Sequence, residues 1–318
     1  MKCGELFELS LLSKRGFELA KNTALLHKQP SFLEIVLSST TTVRYHCGDD
    51  RIEWHFYGKR DSKGIDLEDS KQLTVKMQTE TPGVVRKLVF ATKIWYCYGC
   101  SSPSIQDVLL FIQHISSLFN SKTRWLDIRE PQLSNLKVIQ SVQELRTSKN
   151  VTIHESTVTN DEMRQIIEGF ESEALQILCK PERDFSYNSR ISVKDFRAFN
   201  GSWFKDSMLL NVDSEVVAIK SRKISDEDVN KFLHQWMKNT SGCGKVRALT
   251  LIRIIEKDRL TRWNFDKITE GLENPLDCDF AFIKKYWRTM DNMRLFIKLD
   301  DSEEAVSKLH AAAQELQY

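Results

Sequence analysis

The sequence predicts an α/β protein in which an irregular stack of strand–helix units follows a short helical segment and an antiparallel β segment. Three observations lead to this fold class. Apolar residues recur at helical spacing near the N-terminus, β-branched and aromatic residues fill the next stretch, and strand and helix patterns alternate after Pro103. We therefore predict three segments, 1–29, 30–100 and 101–318.

The first segment carries one apolar stripe. Leu6, Leu9 and Leu12 recur at helical spacing, with Phe7 and Leu11 beside them. A helix pair this short cannot bury such a stripe by itself, so it must dock onto the body of the protein or onto a partner. The sequence leaves both possibilities open.

The second segment is rich in β-branched and aromatic residues, which favour strands. The predicted strands are 32–37, 41–46, 52–57, 73–77 and 84–94. The turn residues at 47–51 predict a hairpin between the second and third of these strands.

In the third segment a repeat is visible. Three stretches share apolar residues at relative positions one, three and eight, followed by a Ser or Thr that can cap a helix. These stretches are Leu126, Ile128, Leu133 and Ser134; Val151, Ile153, Val158 and Thr159; and Val217, Ile219, Ile224 and Ser225. The patterns Ser104/Asp107, Thr159/Glu162, Ser192/Asp195 and Ser225/Asp228 also predict helix-capping boxes.

The repeat resembles a degenerate leucine-rich repeat, whose consensus places apolar residues at the same three positions. It departs from the consensus at position six, where Pro131, Ser156 and Arg222 replace the usual Asn or Cys. The resemblance implies an irregular, tightly curved stack of strand–helix units. Ordinary β–α units in a single sheet are the alternative, because alternation alone does not separate the two.

A second pattern covers residues 217–236: an apolar strand, a Ser, a turn, and then Asp228, Asn230, Phe232, Leu233 and Trp236. It is similar to the F-box-associated domain (type 2) of nematode F-box proteins. The resemblance implies that this domain recruits targets for ubiquitination. From the residues alone, Phe232, Leu233 and Trp236 fall on one helix face and are predicted to be core. Asn230 is predicted to form a local hydrogen bond.

The N-terminal sequence at positions 6–15 resembles the second half of the F-box in the same proteins. It reads Leu-Phe-x-Leu-Ser-Leu-Leu-Ser-Lys-Arg. The family's opening Leu-Pro helix has no counterpart before it, so the resemblance implies a partial F-box. It also implies that Leu6, Phe7, Leu9, Leu11 and Leu12 contact a Skp-type adaptor of a cullin ubiquitin ligase. The protein would then be a non-catalytic subunit that presents a target protein. The alternative is a free-standing protein–protein interaction module that has lost adaptor binding.

Composition excludes several other classes. The formal net charge of +2 is too small to indicate nucleic acid or an anionic membrane as the main partner. No apolar run approaches the roughly 20 residues of a membrane helix. Glu5 and Glu8 interrupt any signal-peptide core, which predicts a cytosolic or nuclear protein.

We find no enzyme signature, and we predict no catalytic residue, cofactor or metal. The spacing of Cys97 and Cys100 lacks a second ligand pair for zinc. The stretch ending at Lys245 has a glycine-rich loop, but Val246 stands where a phosphate loop needs Ser or Thr. Arg44 and Arg51 lie near Trp54 and Phe56, a mixture that can stack nucleic-acid bases, but interspersed acids cancel much of their charge.

Overall fold

Alternating apolar residues form the strands of this protein, and apolar residues at helical spacing form its helices. The computed structural model describes residues 3–26, 30–48, 50–57, 70–75, 86–91, 95–98, 104–154, 156–238, 245–253, 263–272, 283–288 and 293–300. The sequence also predicts a turn at Asp291 and Asn292 and a last helix that begins near Asp301, and both lie outside the described residues.

The helices are α1 (Cys3–Leu12), α2 (Lys14–Leu26), α3 (Ile105–Phe119), α4 (Leu136–Gln140), α5 (Gln143–Arg146), α6 (Asn160–Glu168), α7 (Asp206–Leu209), α8 (Asp226–Lys238) and α9 (Phe265–Thr269). Short 3-10 helices span Gln132–Asn135 and Gly201–Trp203.

The first strands are β1 (Ser31–Leu37), β2 (Thr41–Cys47), β3 (Asp50–Tyr57), β4 (Ser70–Val75), β5 (Arg86–Ala91), β6 (Trp95–Tyr98), β7 (Lys122–Ile128) and β8 (Asn150–Ile153). The later strands are β9 (Thr157–Val158), β10 (Ala174–Ile177), β11 (Lys180–Pro181), β12 (Asp195–Ala198), β13 (Val216–Ser221), β14 (Ala248–Arg253), β15 (Ile283–Arg288) and β16 (Met293–Asp300). The mixed α/β class is therefore confirmed, as is the hairpin between β2 and β3.

The chain divides into two compact units. One comprises Met1–His154 with Gly169–Ser172, and the other comprises Glu155–Glu168 with Glu173–Tyr318. The predicted segments 1–29 and 30–100 both fall within the first unit. The division into three segments stays a prediction.

The first unit has a mixed sheet in the order β6-β3-β2-β1-β7-β8. β1, β2 and β3 are antiparallel neighbours, whereas β6, β7 and β8 each run parallel to the strand beside them. Aromatic rings of α3 pack on its inner face: Phe111 lies 5.3 Å from Trp54 and 5.0 Å from Phe56, between ring centroids. These buried rings are part of the core of the first unit.

The second unit has a sheet in the order β10-β12-β13-β14-β16-β15. All neighbours are parallel except β15, which is antiparallel to β16. Adjacent parallel strands follow chain order, and the segments between them differ in length and helix content. The mixed sheet is observed, while the leucine-rich-repeat stack stays a prediction.

The apolar residues of the repeat are all buried, at positions one, three and eight of each stretch. Two of the predicted caps that follow them are confirmed. Thr159 N donates to Glu162 Oε2 at 2.8 Å, and Ser225 N donates to Asp228 Oδ2 at 2.8 Å. The box at Ser104 and Asp107 is also present, ahead of α3.

Two predicted caps are wrong. Ser134 lies inside a 3-10 helix, where its hydroxyl donates to Pro131 O, and Asn135 precedes α4 instead. Ser192 precedes no helix, because Asp195 begins strand β12, donates its N–H to Glu173 O and binds Arg197 through its carboxylate. Pairing with the neighbouring strand β10 prevails here over the local capping pattern.

Candidate functional site

The N-terminal helices form the first candidate site. Ser13 links them: its hydroxyl accepts from Gly16 N at 2.9 Å, and its carbonyl accepts from Phe17 N. A Cβ at Gly16 would lie 2.4 Å from Leu9 O, so the close approach of α1 and α2 requires glycine there. The sequence from Leu9 to Phe17 therefore encodes a tight helical hairpin.

This hairpin docks on the first unit through one side of α1. Leu6 and Phe7 are fully buried. The Phe7 ring lies 5.2 Å from Trp54 and 5.8 Å from Phe111, between centroids. Ser10 Oγ lies 3.0 Å from His114 Nε2 on α3. The sequence left open whether the apolar stripe packs on the protein or on a partner. Leu6 and Phe7 pack on the protein itself.

Other leucines of the hairpin are exposed to solvent. Leu12 is 74% exposed, and Leu19 and Leu25 on α2 are 57% and 52% exposed. Leu9 and Leu11 are half-buried. Of the five residues predicted to contact an adaptor, Leu6 and Phe7 offer no surface in this arrangement, while Leu9, Leu11 and Leu12 do. Adaptor binding itself stays a prediction.

Helix α8 is the second candidate site. Both hydrogen bonds of its capping box are present: Ser225 N donates to Asp228 Oδ2 at 2.8 Å, and the Ser225 hydroxyl accepts from Asp228 N at 3.2 Å. At the same end, an exposed ion pair joins Glu227 to Lys267 and lowers the pKa of Glu227 to about 2. These contacts fix where α8 starts.

Asn230 does not form the local hydrogen bond that the sequence predicted. Its amide Nδ2 donates to Ile268 O at 2.9 Å and to Glu270 O at 3.0 Å, at the C-terminal end of α9. The last carbonyls of a helix have no partner within the helix, so the Asn230 amide serves as their donor. The contact therefore joins elements far apart in sequence.

The apolar members of the α8 pattern are core, as predicted. Phe232, Leu233 and Trp236 are fully buried. The Trp236 indole Nε1 donates to Val246 O at 2.9 Å, which satisfies its polar atom inside the core. The α8 residues of the pattern thus hold the second unit together, and they present no reactive group.

A comparison with protein-family models identifies the region that contains α8. Residues 183–242 match the F-box associated family. Neither the curated proteins nor the solved structures give a significant match to this chain. The F-box-associated segment contains β12, β13 and α8. The resemblance drawn from Asp228, Asn230, Phe232, Leu233 and Trp236 is therefore confirmed for this segment.

Lys245, the lysine of the stretch that resembles a phosphate loop, forms an ion pair within the protein. Lys245 Nζ lies 3.0 Å from Asp213 Oδ2, and Arg190 Nη2 lies 2.8 Å from the same oxygen. The Asp213 side chain is only 6% exposed, so the two cations compensate a buried carboxylate. Lys245 thus has a structural partner in the F-box-associated segment. Residues 239–244 of the loop lie outside the described residues.

We looked for a metal-binding cluster and for a reactive thiol among the described residues. No group of three or more His, Cys, Asp or Glu residues there could hold a metal ion. The side chain of Cys97, and Cys100 itself, lie outside the described residues. Cys179 is buried, and burial raises its pKa to about 12, which keeps the thiol protonated and unreactive.

The aromatic rings that could have stacked on nucleic-acid bases are not at the surface. Trp54 and Phe56 are buried on the inner face of the sheet, against α3. Arg44 pairs with Glu34 and Glu53. As for membranes, the helices among the described residues are each too short or too polar to cross a bilayer.

The sequence reasoning missed a cluster on the outer face of the first sheet, formed by Phe32, Arg124 and Trp125. A signal for it is present in β7. The consecutive residues Arg124 and Trp125 separate the inward-facing Thr123 from the inward-facing Leu126, which breaks the two-residue alternation and indicates a β-bulge.

Proposed function

We propose that this protein is a non-catalytic substrate-recognition subunit of a Skp–cullin–F-box ubiquitin ligase. The match of residues 183–242 to the F-box associated family carries this proposal. The subunit would act by proximity: it holds a target close to a separate enzyme that transfers ubiquitin. The proposal places the protein in the cytosol or the nucleus, where such ligases operate.

In this proposal the adaptor binds the exposed leucines of the α1–α2 hairpin. Leu12, Leu19 and Leu25 supply exposed apolar surface there. Lys14 and Arg15, between Leu12 and Leu19, are exposed cations that can surround an apolar contact. Leu6 and Phe7 would contribute indirectly, because their burial fixes the position of the hairpin.

A pull-down with purified Skp-type adaptor tests this proposal. The triple variant Leu12→Asp, Leu19→Asp and Leu25→Asp should lose adaptor binding, because it places charges on the contact surface. The matched control is Val216→Asp, a partly exposed apolar residue outside the hairpin, which should bind as the unmodified chain does. An unmodified chain that fails to bind the adaptor would rule out the ligase role.

The burial of Leu6 and Phe7 favours one other candidate function. A free-standing interaction module that has lost adaptor binding would also pack part of its N-terminal apolar stripe into its own core. This candidate predicts that the unmodified chain captures a target but not the adaptor. The same pull-down, repeated with cell lysate and followed by identification of bound proteins, separates the two.

A further inference from the structure

Helix α8 is the last element of the segment that matches the F-box associated family, and that segment ends at residue 242. Some side chains of α8 bind residues beyond this end. The Trp236 indole donates to Val246 O, and the Asn230 amide donates to Ile268 O and Glu270 O. The matched segment therefore does not contain all the partners of its own last helix.

The sheet extends beyond the matched segment in the same way. Strand β13 lies within the segment and pairs with β12 on one side and with β14 on the other. Leu249 and Leu251 of β14 are buried, as are Val217 and Ile219 beside them in the register. Strand β14 thus completes a buried layer to which the matched residues contribute only one part.

Helix α9 contacts α8 through side chains at two levels of α8. In the first turn of α8, Glu227 forms an exposed ion pair with Lys267. Further along α8, His234 Nε2 lies 3.0 Å from Glu270 O, the same carbonyl oxygen that Asn230 binds. A carbonyl oxygen only accepts, so the imidazole N–H of His234 donates here.

The contact residues lie along one side of α8. Glu227, Asn230 and His234 are separated by three and four positions, which places them above one another on a helix. We call the pairs that they form with Lys267, Ile268 and Glu270 the α8–α9 contact. A separate set of α8 residues faces the core, and its members are the buried Val229, Phe232, Leu233 and Trp236.

The end of α9 is shaped for this contact. Gly271 has φ +71°, the left-handed conformation in which a glycine commonly ends a helix. The backbone N–H of Leu272 then donates to Thr269 O, while the carbonyls of Ile268 and Glu270 accept from side chains of α8. The Ile268 side chain is 1% exposed, so α9 also contributes to the apolar interior.

We propose that the F-box-associated domain of this protein extends beyond residue 242 to α9, and that the fold of α8 depends on the α8–α9 contact. Helix α9 has five residues, too few to form a stable helix alone, so the helix and the contact form together. Because α8 carries Phe232, Leu233 and Trp236 into the core, loss of the contact should open α8 to solvent.

Hydrogen–deuterium exchange of the full chain, followed by mass spectrometry, tests this proposal. Ile268→Asp places a charge at the buried position of α9, and it should speed exchange of the α8 amides by about tenfold or more. The matched control is Asp266→Ala, at an exposed position of α9, which should leave exchange in α8 unchanged. Faster exchange in α9 alone, with α8 as protected as in the unmodified chain, would overturn the proposal.

A milder pair of variants decides the question if Ile268→Asp does not fold. His234→Leu removes the donor to Glu270 O, whereas His234→Gln keeps a donor at this position. We expect His234→Leu to speed exchange of the α9 amides by about fivefold, and His234→Gln to restore most of the protection. Equal protection of α9 in the unmodified chain and in His234→Leu would contradict the α8–α9 contact.

This proposal and the ligase role fail separately. Hydrogen exchange requires neither adaptor nor target, so a chain that does not bind the adaptor can still show that α8 depends on α9. Adaptor binding by the unmodified chain, together with an α8 that stays protected in folded Ile268→Asp, would keep the ligase role and reject the extended domain.

Discussion

Single side chains connect elements of this protein that are distant in sequence. Asn230 of α8 supplies two N–H donors to carbonyls at the end of α9, and the Trp236 indole donates to Val246 O. A carbonyl at a helix end needs a partner from outside the helix. Asn230 and Trp236 of the α8 pattern therefore have structural roles within the second unit.

Asn230→Asp tests this role at the scale of one residue. The new carboxylate has the shape of the amide but no donor, and it faces the carbonyls of Ile268 and Glu270. We expect the free energy of unfolding to fall by about 2 kcal/mol. Urea denaturation measures this change. Asn188→Asp, at an exposed position, is the matched control and should shift stability by no more than about 0.5 kcal/mol.

At the scale of elements, the α1–α2 hairpin docks on α3 through a half-buried histidine. His114 contacts the rings of Phe7 and Phe17 and lies within hydrogen-bonding distance of Ser10. Burial lowers the pKa of His114 from 6.5 to about 4. The packing of the hairpin therefore requires the neutral imidazole.

Acidification should weaken this docking. Because the folded-state pKa of His114 is lowered, the unfolded chain takes up the proton first as the pH falls. The stabilising effect is complete above pH 6.5 and is lost progressively toward pH 4, to a total of about 3 kcal/mol. Urea denaturation between pH 7.5 and pH 4.5 measures this loss.

His114→Gln is the comparison variant, because glutamine keeps a donor for Ser10 but does not titrate. The unfolding free energy of this variant should depend less on pH than that of the unmodified chain. Gln113→Ala, at the exposed neighbouring position on α3, is the control and should keep the full pH dependence. Equal pH dependence of all three proteins would contradict the role of His114.

At the scale of the whole molecule, the N-terminal segment is a part of the first unit and not an appendage. Phe7 is fully buried between Trp54 and Phe111, which also pack on each other. The same helix ends at Leu12, which is largely exposed. One helix thus contributes both to the core and to a surface available for a partner.

Two substitutions separate these contributions. Phe7→Ala should lower the free energy of unfolding by roughly 3 to 5 kcal/mol, because it leaves a cavity in the aromatic core. Leu12→Ala should change it by less than about 0.5 kcal/mol. Urea denaturation followed by tryptophan fluorescence measures both. Similar stability of the two variants would mean that α1 is not integrated into the core.

The sequence by itself determined the elements that depend on local pattern. Enrichment in β-branched and aromatic residues predicted β1, β2 and β3, and helical spacing with Ser225 and Asp228 predicted α8 and its cap. The α8 pattern also led to the F-box-associated segment. These signals lie within a few residues of each other, so each can be read before any neighbour is known.

Only the tertiary structure decided which surfaces stay open. Leu6 and Leu12 belong to the same apolar stripe, but only Leu6 is covered by the protein itself. The partners of Asn230 lie 38 and 40 positions along the chain, and strand pairing with β10 prevented the helix expected after Ser192. In each case the outcome depends on which elements become neighbours in space, and local spacing carries no information about that.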